Sequence, residues 1–192
     1  HSRGALVGLG AMGMFFLLKA RNRLGVLIGI IPVALVVLYV MPPEWFERMH
    51  TIQTYDEDGS AQGRIYAWGN AIDIANSSLL GGGFRAVTGY GGTDSHSNWF
   101  GVLGELGWIG LAMFVTLHVF TWRSATQIIR MAKPHQELTW ARDLAAMIQV
   151  SLIGYMSAGS FLGLQYFDLF YHLIAIIVIT KLLVQRELDA MR

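Results

Sequence analysis

His96 is the residue in this chain best placed to move a proton. It stands in Asp94-Ser95-His96-Ser97-Asn98, where a polar, glycine-loosened stretch gives way to the apolar run that opens at Trp99. A neutral imidazole at such a boundary, between water and a helix mouth, can take a proton from a hydroxyl near neutral pH. The alternative is an interfacial histidine that only caps the helix beginning near Trp99. Arg3, Arg64 and Arg85 carry permanent charge on planar forks that pair bidentately with phosphoryl oxygens. Together they could hold a phosphate-rich group; lipid headgroups or the acidic stretch Asp56-Glu57-Asp58 would use them equally well. Arg48, flanked by Glu44 and Glu47, reads as a surface ion pair. Glu105 falls about two turns into the apolar run, and an ionisable group within a membrane is a functional candidate by default. It either serves a substrate or holds Arg3 or Arg64 in place.

Other chemistries find little support. Asp56-Glu57-Asp58 has the spacing with which some enzymes hold a divalent ion on nucleotide phosphates, but three acidic residues in a polar loop read better as a solvated loop. The histidines show no HExxH pattern and there is no GxxxxGK[ST] loop, so neither a metal nor any other cofactor is expected. Zero cysteines exclude thiol catalysis and iron–sulfur clusters. With 14 Lys+Arg against 13 Asp+Glu there is no basic tract for nucleic acid. Asp168 and His172 read as interfacial anchors, and His50, His118 and His135 are given no role.

The elements that must position these residues are membrane helices. Hydrophobic residues make up 54% of the chain, charged ones only 14%, and the apolar residues come in long blocks. Five segments approach the roughly 20 apolar residues that a spanning helix needs: about Gly4–Leu18, Leu24–Met41, Trp99–Trp122, Leu144–Leu164 and Leu169–Val184. The expectation is an all-α polytopic bundle. Residues 1–41 hold two spans, 42–98 a large external loop, and 99–192 three spans and a tail. Lys19, Arg21 and Arg23, then Arg123, Arg130, Lys133 and Arg142, and finally Lys181, Arg186 and Arg192 fall on one side, which the positive-inside rule makes cytoplasmic. Arg3, Arg48, Arg64 and Arg85 are left on the opposite face. The chain opens on His1 rather than methionine and reads as a C-terminal portion of a longer polypeptide.

Within the external loop, Ile65, Trp68, Ile72 and Leu79 recur at helical spacing. An amphipathic helix over 64–80 is expected, lying along the membrane surface or plugging a vestibule. Six of the twelve residues from Gly81 to Gly92 are glycine, which suggests a pliable lid able to approach a ligand. Pro32 is expected to kink the second span.

Several of these blocks together resemble one family. Ser2-Arg3-Gly4-Ala5, the stretch Met41–Ala75, Gly81-Gly82-Gly83-Phe84 and Asp94–Leu111 are similar, in that order, to the C-terminal half of the O-antigen ligase superfamily. The nearest resemblance is to the O-glycosylation ligases associated with exosortase A systems. The resemblance implies a bacterial inner-membrane glycosyltransferase with its site facing the periplasm. Undecaprenyl pyrophosphate would deliver a glycan to the hydroxyl of a lipid, polysaccharide or protein acceptor, without metal or nucleotide. By position, His96 matches the family's essential histidine, and Arg3 and Arg64 its pyrophosphate-contacting arginines. A polymerase of the same fold, or a transporter or structural subunit using Glu105, are the competing readings.

Overall fold

The computed structural model describes residues 3–20, 22–40, 59–91 and 94–191, and the side chains within 8–20, 22–40, 62–89 and 94–191. The acidic stretch Asp56-Glu57-Asp58, Arg48 and Met41-Pro42-Pro43 lie outside the described residues. Every regular element described is helical: α1 (Arg3–Lys19), α2 (Arg23–Val40), α3 (Gly59–Ser77), α4 (Ala86–Gly91), α5 (Asn98–Ala132), a 3₁₀ turn (Gln136–Leu138), α6 (Thr139–Gly159) and α7 (Leu169–Ala190). The expected all-α membrane bundle is what the chain forms. Three helices among the described residues are long and apolar enough to cross a membrane, namely α2, α5 and α7. Gly8–Lys19 of α1 is a shorter apolar helix. The fourth expected span, α6, is less apolar for a physical reason: it lies at the centre of the bundle and carries Gln149, buried at 1% exposure. A helix surrounded by protein can afford polar groups that find partners.

α6 is the axis on which the others pack. α1 runs antiparallel to it, with a Cβ built on Gly8 falling 2.7 Å from Ala158 Cβ, Met12 against Gly154, and Lys19 Nζ donating to Gln149 Oε1 at 2.7 Å. Gln149 Nε2 in turn donates to Thr126 Oγ1 of α5 at 2.8 Å. Ala125, Ile128, Ala132, Ala141, Ala145 and Ile148 are buried between α5 and α6, where small side chains allow close approach. α7 closes the bundle through Phe170, Leu173, Ile177 and Val184. α2 runs through Pro32 as one helix with no buried residue. Lys19, Lys133, Arg142 and Arg186 all lie towards one end of this bundle; the start of α1 and the junction of α6 and α7 lie at the other.

The third apolar run does not cross as one rod. Gly107 has φ 68° and ψ −170°, inside α5, a region of backbone space open essentially to glycine alone. In a straight helix Trp99 and His118 would be about 28 Å apart, yet their ring centroids are 5.7 Å apart, and Trp99 also meets Phe114 at 5.6 Å. The chain therefore turns back on itself at Gly107. The limb 98–106 lies against the limb 108–132, which at about 37 Å is long enough by itself for a bilayer core of about 30 Å. The expected span Trp99–Trp122 is corrected accordingly: its first residues form a separate limb.

α3 follows that first limb in parallel rather than forming an isolated surface helix. Trp68 stacks on Phe100 with centroids 4.8 Å apart, Ala71 faces Gly104, and Trp108 Nε1 donates to Asn76 Oδ1 at 3.1 Å. The packing face is also different from the one expected. Ala67, Ala71 and Ala75 are buried, while Ile65 and Ile72 point outward and Leu79 is exposed beyond the helix. Alanines allow α3 to approach the glycine-bearing limb closely, which isoleucines at the same positions would prevent.

Candidate functional site

The segment leading into α5 presents His96 by an alternation of burial. Ser95 and Ser97 are each 1% exposed, while the His96 side chain is 51% exposed. Trp68 Nε1 of α3 donates to the Ser95 carbonyl at 2.9 Å, and Ser95 Oγ donates to the Ser97 carbonyl at 3.2 Å. His96 itself has φ 46°, a left-handed conformation uncommon outside glycine. Asp94 supports it: its Oδ1 accepts the His96 N–H at 3.2 Å, an Asx turn that ties the backbone two residues on. Asp94 Oδ2 lies 3.9 Å from His96 Nδ1. That is ion-pair rather than hydrogen-bond distance, so an imidazolium formed here would face a carboxylate, with no partner for Nε2 among the described residues. The His96 ring does not cap the helix. Ser97 is the N-cap residue and makes no side-chain cap bond either.

The wall behind this segment is built by the α6–α7 junction. Asn98 Oδ1 accepts the Leu164 N–H, Trp99 Nε1 donates to Ser160 Oγ at 3.1 Å, and Tyr155 OH donates to the Leu164 carbonyl at 2.8 Å. These bonds fix the start of α5 at the end of the bundle opposite Lys133 and Arg142. Asp168 and His172, expected as anchors, open α7 beside it, where His172 Nδ1 bonds the Asp168 carbonyl at 2.7 Å.

Arg64 sits on the buried stripe of α3, four residues before Trp68, or about 6 Å along the axis. The Trp68–Ser95 bond therefore joins the helix that carries Arg64 to the segment that carries His96. Its Nε is buried without a hydrogen-bond partner among the described residues, and an unpaired guanidinium donor seeks an anionic acceptor. Arg3 begins α1 at the same end of the bundle, since Gly8 already faces Ala158 near the end of α6; its side chain lies outside the described residues.

Glu105 and Arg85 form a second group, at the reversal of α5. Glu105 is 5% exposed. Its Oε1 accepts the Arg85 backbone N–H at 2.9 Å, and its Oε2 accepts the Tyr166 hydroxyl. Alongside, Gly82 N–H donates to the Gly104 carbonyl at 2.9 Å and Gly83 N–H to the Glu105 carbonyl at 3.0 Å. These are carbonyls that the break at Gly107 frees from the helical ladder. The glycine segment expected to act as a pliable lid is thus fastened, over 82–85, to the broken helix. Arg85 has φ 60°, and its guanidinium lies over the Phe84 ring at 5.5 Å, exposed to solvent. The structure brings Glu105 to the Arg85 backbone and lays the Arg85 fork over Phe84, with no hydrogen bond or ion pair to it among the described residues.

Burial, then the bond to Glu105, pushes the Tyr166 hydroxyl above the usual phenol range, so it remains a donor. The folded pKa being raised, the stability contributed by this bond is fully present below pH 10.0, the ordinary phenol value, and is lost as pH climbs through the raised one. Glu105→Gln puts an amide donor against one of two donors that already converge there. It is expected to cost about 2–3 kcal/mol, and Tyr166→Phe about 1 kcal/mol. Thermal unfolding of the full chain in detergent, with proteolytic sensitivity of 81–91, measures both; a neutral Glu105→Gln would mean that the fastening is not held by the carboxylate.

Sequence reasoning missed Asp94. The signal was its position two residues before His96, the spacing of an Asx turn. The missed Tyr166 had none, because it lies 61 positions from its carboxylate.

An all-helical membrane chain with a left-handed histidine, an adjoining carboxylate and an arginine at one end of the bundle defines a polytopic membrane protein with a candidate acid–base site. Residues 1–115 of the 192 match the family model described as O-antigen ligase, and the chain belongs to that family. No curated protein and no solved structure matches it.

Proposed function

We propose that this chain carries the reacting face of a metal-independent, inverting glycosyltransferase that moves a glycan from undecaprenyl pyrophosphate to an acceptor hydroxyl, at the periplasmic side of the bacterial inner membrane. Within the family, the resemblance of Ser2–Ala5, Met41–Ala75, Gly81–Phe84 and Asp94–Leu111 to the O-glycosylation ligases associated with exosortase A systems supports a reading as one of that kind. The observation that carries the reading is His96. The chain adopts a strained backbone to hold an imidazole in solvent between two buried serines, and Asp94 pairs with it. In the reaction, the acceptor hydroxyl gives its proton to His96 Nε2 as its oxygen attacks the anomeric carbon. The bond from that carbon to the pyrophosphate oxygen breaks, and the leaving group departs with the electron pair. Arg64 and Arg3 meet its charge, with the exposed Arg85 fork facing the substrate from the reversal of α5, while the buried Glu105, expected to touch substrate, instead holds the Arg85 backbone and Tyr166 in place. The concentration of Lys133, Arg142 and Arg186 at the opposite end supports an external His96 by the positive-inside rule.

Arg64 tests this reading. Arg64→Ala is expected to lower glycan transfer by the full-length protein about 10²-fold, as loss of one well-placed donor to developing charge does. Arg64→Lys, a point charge without the fork, should restore part of it. The measurement is release of undecaprenyl pyrophosphate from purified lipid-linked glycan; undiminished release by Arg64→Ala discards the assignment.

A further inference from the structure

We infer that the cleft between α3 and the Gly81-Gly82 turn is a saccharide subsite, which holds sugars of a glycan by their hydroxyl groups. The inference rests on the glycan-transfer reading above and extends it to residues that reading does not use.

The cleft has a volume of about 500 Å³, with Asn70, Asp73, Ile74, Ser77 and Ser78 along one wall and the turn at Gly81 and Gly82 along the other. Asn70, Asp73 and Ser77 follow one another at steps of three and four, so they share a face of α3, turned away from the alanine stripe. The Asn70 amide and the Asp73 carboxylate have no hydrogen-bond partner among the described residues. Ser77 Oγ donates to the Ile74 carbonyl at 2.8 Å, which leaves its lone pairs to accept.

The chemistry of this wall selects its ligand. Each sugar hydroxyl both donates and accepts, and the wall offers amide donors, carboxylate and hydroxyl acceptors, and no cation. A phosphate would meet Asp73 with nothing to offset the charge. The opposite wall is the backbone turn at Gly81 and Gly82, packed on its Cα side against the Glu105–Gly107 backbone, Ala86 and Ile74, so the polar contacts to a ligand come from α3. The turn is also preformed, because Gly82 and Gly83 are bonded to the Gly104 and Glu105 carbonyls; a preformed wall lowers the ordering cost of binding.

Position agrees with chemistry. α3 leads from Trp68, beside the residue before His96, to Asn76, beside Trp108 at the reversal of α5. Asp73 lies nine residues beyond Arg64, about 14 Å along the helix. A glycan with its pyrophosphate at Arg64 and its first sugar at His96 would bring later sugars to the cleft.

The test uses undecaprenyl pyrophosphate-linked glycan isolated from cells that make the protein, both whole and trimmed to one sugar, and the free glycan released from the carrier. For the unsubstituted full-length protein, KM for the trimmed donor should exceed that for the whole donor by about tenfold, the worth of one or two net hydrogen bonds. In Asn70→Ala/Asp73→Ala that ratio should fall towards one, and inhibition by free glycan should disappear. Inhibition competitive with the donor assigns the cleft to the donor's glycan, whereas inhibition competitive with the acceptor assigns it to an acceptor's sugars. A ratio and an inhibition that survive the double substitution overturn the subsite. A protein that binds free glycan through these residues, seen by saturation-transfer NMR, but transfers none would discard the transfer reading and leave the subsite standing.

Discussion

Gly107→Ala is expected to lower the thermal midpoint of the protein sharply and to abolish glycan transfer, although residue 107 lies at the far end of the limb from His96. Two costs combine. A φ of 68° with ψ −170° is closed to alanine, and forcing a side chain there costs about 1–3 kcal/mol. The added Cβ would also run into the Leu79 carbonyl oxygen and stand 2.6 Å from Gly81 N. Both are backbone atoms and cannot rotate aside, so overpacking adds about 1–3 kcal/mol more. Against a total stability of about 5–15 kcal/mol, that sum opens the reversal. Once it opens, the contact of Trp99 with His118 is lost, and with it the placement of the segment that carries His96. Gly69→Ala gives the contrast: a Cβ there meets nothing within 4 Å in the middle of α3, so it should stabilise by about 0.5–1 kcal/mol. Thermal unfolding and transfer assays on the two variants decide the matter; if Gly107→Ala behaves like Gly69→Ala, the chain does not turn on that glycine.

The same glycine marks the limit of what could be read from sequence. Apolar run lengths place α1 and α2 within a residue of their observed ends and the start of α7 at Leu169, because a spanning helix needs length and apolarity, and both are visible in the letters; α7 runs six residues past the expected Val184, where its sequence turns polar. The reversal in α5 is not visible in that way. Asn98–Ala132 is apolar on both sides of Gly107, and a single glycine in such a run reads equally well as a packing position. The face of α3 was misread for a related reason. Hydrophobic periodicity weights Ile65 and Ile72 over Ala67 and Ala71, but close approach to the glycine-bearing limb selects the smaller side chains. Glu105 stood out as an ionisable group in an apolar run. Its partners, Tyr166 and the Arg85 backbone, become neighbours only through the tertiary fold. His96 and Arg64 are candidates by residue type and position and again by family resemblance, and the structure supplies the Trp68–Ser95 bond that brings their segments together.

His96→Asn should remove nearly all glycan transfer and leave the fold intact. Asparagine is the informative replacement because it tolerates the left-handed backbone at φ 46° yet cannot accept a proton from a hydroxyl at working pH. The imidazole is half exposed, and its charged neighbour at ion-pair distance is Asp94 at 3.9 Å, so little packing is lost with it. General-base catalysis contributes about 10²–10⁴ to rate, which sets the expected fall in kcat. Asp94→Asn should behave differently. The asparagine oxygen can still accept the residue 96 N–H and keep the turn, so what disappears is the carboxylate's charge. An exposed pair at this separation is worth no more than about 1 kcal/mol, a loss of only a few-fold. The order of the two variants thus tests the proposed roles, His96 as the proton acceptor and Asp94 as a fixed charge beside it. Equal losses in both, with folded protein, would show that the carboxylate takes the proton itself. Full turnover in His96→Asn would remove acid–base chemistry from this loop altogether.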